Sequence, residues 1–232
     1  VTNNSEILLE GSYKYLDKEQ EFAQENFKLL NFPDDEVYQI YSEILSRVET
    51  GEFLKIIVRY DMDYHFAPLF LRTEKSLGTK FVEETFKIEH QTQECFYQLK
   101  NSIGIQEFKR PFGSKHHLAS PAFATAAVFS LSKKFNATGR TPVTLISSAN
   151  EWVYREPPIE KMVFAEFKSR DIKDFNLNGK TLTASHLQLH DHDSSHTDDS
   201  APVDMWLSKH FSLPYMMTHE EQKIVTVVMK KY

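Results

Sequence analysis

The sequence predicts an all-β fold: a large, strongly curved antiparallel meander, a half-barrel or clamp, with one central helix near 121–135. Three observations predict it. Apolar and polar residues alternate with a period of two in runs long for strands. In 37–48, Tyr38, Ile40, Ile44 and Val48 fall on one side, and Tyr41, Glu43, Leu45 and Arg47 on the other. Turn formers separate these runs at short intervals. The chain also carries 18 Phe and 10 Tyr, large flat side chains that suit a pleated surface.

The elements follow in order. Over residues 1–35, Leu16, Ala23, Phe27 and Leu30 would line one side of a short helix that begins near Asp17; a strand over 26–32 competes with it. Phe32-Pro33-Asp34-Asp35 is a turn. Strand 36–48 reaches the turn Glu49-Thr50-Gly51-Glu52, and strand 53–62 returns. Pro68 opens the next strand, where a missing N–H breaks no ladder bond. Strands 69–76, 81–90, 94–101 and 104–110 follow. Ser120 caps the expected helix, Pro121 takes its first position, and Phe123, Ala127, Leu131 and Phe135 recur every four residues. The second half holds strands near 142–148, 151–156, 161–169, 172–177, 180–189, 202–208, 214–219 and 223–231. Asn178-Gly179 is a strong hairpin signal.

A short echo joins the halves. Asp61-Met62, Phe66, Pro68 and Leu69 resemble Asp204-Met205, Phe211, Pro214 and Tyr215. The expectation is a single β domain over 1–232, with halves 36–112 and 140–232 joined by the helix as a pseudo-symmetric clamp.

Composition narrows the function classes. A chain of 232 residues suits one large all-β domain. Its net charge of −6 argues against nucleic acid, which calls for a basic stripe. There is no run of 18 apolar residues to make a transmembrane helix. Val1-Thr2-Asn3-Asn4 does not read as a signal peptide, and the compartment stays open between cytoplasm and export. Cys95, the one cysteine, sits in a strand-like run and reads as a buried small hydrophobe.

Catalytic motifs are missing: there is no glycine-flanked serine elbow, glycine-rich phosphate loop, CxxC or HExxH. His116 and His117 precede the expected helix, and either would serve as a general base if Asp61 or Glu74 lay nearby. The run 190–199 places His190, His192 and His196 among carboxylates, with His186 close by. That donor set suits zinc, although a solvated turn-rich loop accounts for it as well. No cofactor is expected.

The stretch from Phe32-Pro33-Asp34-Asp35 through Gly51-Glu52-Phe53-Leu54, with Asp204-Met205-Trp206-Leu207 to Leu213-Pro214, carries a family resemblance. It is similar to bacterial long-meander β proteins that resemble, at fold level, the outer-membrane lipoprotein carriers. The resemblance implies a curled sheet that holds an acyl chain. No family site residue transfers.

A curved sheet with an apolar concave face leaves a groove unless helices fill it, and one helix presents one stripe. The first expectation is therefore a binding protein for a lipid or other apolar small molecule. Its lining would be Tyr38, Tyr60, Phe70, Phe86, Phe96, Trp152, Phe164 and Trp206. The alternative is an isomerase, cyclase or hydrolase with a histidine base at the sheet mouth. A third reading is an interaction module that pairs through its sheet edges.

Overall fold

The computed structural model describes residues 5–132, 139–191 and 201–232. They form one 15-stranded sheet that curls without closing. Eight strands run outward from the centre: β1 (Glu6–Asp17), β2 (Gln20–Phe32), β3 (Val37–Arg47), β4 (Phe53–Asp63), β5 (Pro68–Leu77), β6 (Lys80–Glu89), β7 (Glu94–Asn101) and β8 (Ile105–Pro111). Seven run back from the far edge: β9 (His116–Leu118), β10 (Thr141–Ser147), β11 (Ile159–Leu177), β12 (Lys180–Asp191), β13 (Val203–Ser208), β14 (Pro214–His219) and β15 (Gln222–Lys231). β15 pairs with β1, so the two arms meet in the middle, and β8 and β9 are the free edges. Every pairing is antiparallel except β9 with β10.

The expected meander is therefore present, with three local corrections. The first 35 residues form a hairpin rather than a helix. Ala23, Glu25, Phe27 and Leu29 are buried at every second position, the period of a strand. Lys18 and Glu19 both take positive φ and reverse the chain in two residues. Second, 151–156 is a loop. Asn150 Oδ1 accepts the N–H groups of Arg155 (2.7 Å) and Glu156 (3.3 Å), folding the backbone onto itself. Third, the helix is short: a 3₁₀ turn at Phe123–Thr125, then α1 at Phe129–Ser132. The backbone bonds here span three residues, as in Thr125 N to Ala122 O (3.1 Å) and Ala126 N to Phe123 O (3.0 Å). Such tight winding is usual in short pieces.

The two echoing segments are both hairpins with a proline opening the return strand. Phe66 and Phe211 hold positive φ at their tips. The tips meet: the two rings are 6.1 Å apart, and Tyr38 contacts both. Turns from opposite arms thus touch across one end of the curl.

The interior is filled by the chain itself. Between β8 and β10, Phe112, Leu118, Ala122, Phe123, Val128 and Phe129 are buried in the same cluster as the inner faces of both arms. Tyr13 stacks on Phe27 (4.8 Å, 13°) and meets Phe123 edge-on (4.8 Å, 76°). Gly11 permits this, because a Cβ there would lie 2.7 Å from the Phe27 ring and 2.5 Å from Val228 O.

Candidate functional site

The inner segment is pinned by one carboxylate. Glu25, fully buried on β2, accepts hydrogen bonds from Tyr15 Oη (2.5 Å) and Ser42 Oγ (2.7 Å) on the neighbouring strands. It also accepts the backbone N–H groups of Phe123 (2.8 Å) and Ala124 (3.2 Å). Those N–H groups open the 3₁₀ turn and have no partner within it, so the sheet wall supplies their cap. Burial pushes the Glu25 carboxyl above its usual range, and the bonds from Tyr15 and Ser42 oppose that shift. This cluster ties the inner segment to three neighbouring strands.

A second buried carboxylate, Glu84 on β6, accepts Tyr97 Oη (2.7 Å), Ser148 Oγ and Lys75 Nζ (3.3 Å). Asn150 Nδ2 donates to Tyr97 Oη (3.1 Å), and Lys75 Nζ to Asn150 O (3.1 Å). The network ties the 148–158 loop to the β5–β7 wall beside a polar cavity of about 270 Å³.

A more apolar opening among the described residues lies elsewhere. The tip of the β11–β12 hairpin crosses β13 and β14 to reach β15, where Asn178 Nδ2 donates to Thr226 O (2.9 Å). Asn178 and Gly179 both hold positive φ, as the hairpin signal requires. The long β11 strand makes this reach possible, bending at register shifts between Phe167 and Phe175. Beneath the tip is a slot of about 290 Å³, lined by Leu177 and Leu182 from the hairpin, Tyr215 from β14, Val228 and Met229 from β15, and Leu9 from β1. Beyond Val225, where its pairing with β14 ends, β15 has an open edge, and Val227 and Val228 stay 41% and 55% exposed there. Lys180, Lys231 and His210 also line it.

The eight aromatics expected to line a groove do not converge. Tyr60 and Phe86 are buried in the core, and Tyr38 belongs to the ring cluster at the sealed end. Phe70 and Phe96 lie on the outer face, beneath Arg59 (5.3 Å) and Lys109 (5.1 Å), beside a shallow depression of about 510 Å³. Phe164 and Trp206 also alternate outward, opposite buried neighbours Val163, Ala165, Met205 and Leu207. Trp152 lies in the 148–158 loop, where its carbonyl accepts Asn101 Nδ2 (2.9 Å) and Lys80 faces its ring. Strands such as 69–76 and 94–101 carry apolar residues on both faces, so periodicity alone does not say which face turns inward.

The histidines and Asp61 are likewise apart. His117 is buried against Phe129, and His116 Nδ1 accepts the Gly113 N–H (2.7 Å). Asp61 lies on the outer face, gripped by Arg59 (3.0 Å) and Gln39 (2.8 Å), and Glu74 pairs there with Arg72 (2.9 Å). A histidine–carboxylate pair does occur at a place the spacing did not suggest. His186 Nε2 is 2.6 Å from Asp204 Oδ1, with its ring stacked on Trp206 at 4.9 Å. The two strands are neighbours in the sheet, which no local motif announces.

His190 sits 3.7 Å from Glu166, and burial lowers its pKa. His192 and His196 lie outside the described residues. Among the described residues no three potential ligands gather for a metal.

No protein-family model matches the chain, and no curated protein does. Two of the solved structures that share its fold are described by their family. One is a β-barrel-like protein of the domain of unknown function DUF1849 from Brucella abortus: TM-score 0.58 at 10% identity, over 97% of this chain and 98% of that one. The other is a DUF1089 family protein from Pseudomonas aeruginosa: TM-score 0.55 at 10% identity, over 84% of this chain and 89% of that one. They support a curled all-β fold and carry the resemblance to lipoprotein carriers no further.

Proposed function

We propose that this protein binds a lipid or other apolar small molecule, and that the ligand occupies the slot under the β11–β12 hairpin rather than the centre of the curl. One observation carries the reading. Val227 and Val228 lie on β15 beyond the end of its pairing with β14, and they remain exposed around an open volume of about 290 Å³ that Leu177, Leu182 and Met229 also line. Covering that surface is favourable by about 25 cal/mol per Å² of apolar area removed from water. The chain has covered its other large apolar face with the segment between β8 and β10. Apolar lining with a few polar groups at fixed points is the usual build of a small-molecule site.

Native mass spectrometry of the gently purified protein, followed by titration with a fluorescent fatty-acid analogue, tests the reading. Saturable binding that is lost in Leu182→Asp is expected. A ligand-free mass with no saturable binding would overturn it.

A second reading, an enzyme with a histidine base, is favoured by the His186–Asp204 pair. A carboxylate holding one ring nitrogen fixes the orientation of the imidazole. Turnover of an ester or lactone panel that disappears in His186→Ala would support this reading. Absence of turnover across the panel would remove it.

A further inference from the structure

We infer that the slot selects singly charged anionic amphiphiles, with Lys180 and Lys231 receiving the headgroup. This rests on the apolar-ligand reading above and adds a headgroup to it. Among the described residues lining the slot there are two lysines and a histidine, and no aspartate or glutamate. That is a local reversal in a chain whose net charge is −6. Neither lysine forms an ion pair with a described residue, so their ammonium groups remain available. Lys180 comes from the hairpin tip and Lys231 from the last residue of β15, which pairs with Leu9. A carboxylate placed between them would join the two elements that enclose the slot.

Chain length follows from the volume. At about 30 Å³ for each water-sized group, 290 Å³ accommodates roughly ten heavy atoms. The fitting class is a medium-chain fatty acid or an alkyl anion of that size. The attraction between an exposed ammonium and a carboxylate is screened by salt, whereas the apolar contact is not. The two contributions are therefore separable by experiment.

Isothermal titration with decanoate, decanol and decyltrimethylammonium, each at low and high ionic strength, tests the inference. Decanoate is expected to bind roughly tenfold more tightly than decanol at low salt, and the cation more weakly than either. The double variant K180Q/K231Q, checked for an unchanged thermal midpoint, should remove the tenfold preference for decanoate over decanol. Equal affinity for decanoate and decanol would overturn the headgroup assignment and leave the apolar reading standing. Failure of all three to bind would overturn both.

Discussion

The interior and the slot are two apolar spaces built from the same strands and resolved in opposite ways. At the centre, the chain lays its own segment against Tyr13 and Phe27 and fixes it with a carboxylate that accepts four hydrogen bonds. At the slot, a hairpin leans over β15 and is held by the side-chain bond from Asn178 to Thr226 O, with valines left facing solvent. The first arrangement maximises burial and satisfies its polar groups; the second leaves surface uncovered. The contrast separates a region specialised for stability from one available for binding, and each half of that statement can be broken by substitution.

The largest effect is expected at Glu25. Glu25→Ala removes the acceptor of two hydroxyls and two backbone N–H groups, of which the Phe123 N–H keeps Tyr15 Oη (3.2 Å), and should cost about 4 kcal/mol, read by chemical denaturation. A cost within about 0.5 kcal/mol would mean that the inner segment is not pinned there. Gly11→Ala comes next. Its Cβ would meet Val228 O and the Phe27 ring, and overpacking of this kind costs about 2 kcal/mol.

A pH series sharpens the same region. Because burial raises the Glu25 carboxyl, the folded state holds its proton more firmly than the unfolded chain does. Its stabilising contribution is therefore complete below the ordinary carboxylate pKa and is lost as pH rises through the raised one. Wild-type stability should fall relative to Glu25→Gln as pH rises above the ordinary glutamate pKa of about 4; parallel curves would refute the shift.

The smallest stability effect is expected at the slot. Val228→Asp should change stability by no more than about 0.5 kcal/mol, since the side chain is more than half exposed, while abolishing binding of the fatty-acid analogue. A loss comparable to that of Glu25→Ala would erase the distinction between the two spaces.

Much of the sheet is legible in the sequence, because alternation reports directly on strands. Residues 37–48 divide into faces as expected: Ile40, Ser42 and Ile44 are buried, while Tyr41 and Leu45 are exposed. Asn178-Gly179 makes its hairpin, and Cys95 is buried, its thiol pushed up to about 12 by desolvation. The helix was legible only as a stripe. Its four-residue spacing marks the apolar side of an inner segment, but the caps come from Glu25, about a hundred positions away, where no local signal can show them. The slot was less visible still. Leu177 and Leu182 look like ordinary strand residues, and only the bends in β11 carry them across two strands to β15. His186 and Asp204 likewise become partners only through pairing of β12 with β13.

The pairing of β1 with β15 has a kinetic consequence. The arm β1–β8 can zip up by successive local hairpins that close short loops, whereas the central seam joins residues from opposite ends of the sequence. Assembly should therefore finish at that seam, with that arm ordered first. Pulsed hydrogen exchange during refolding would then show amides of β3–β7 protected before those of β1 and β15, and simultaneous protection would rule that sequence of events out.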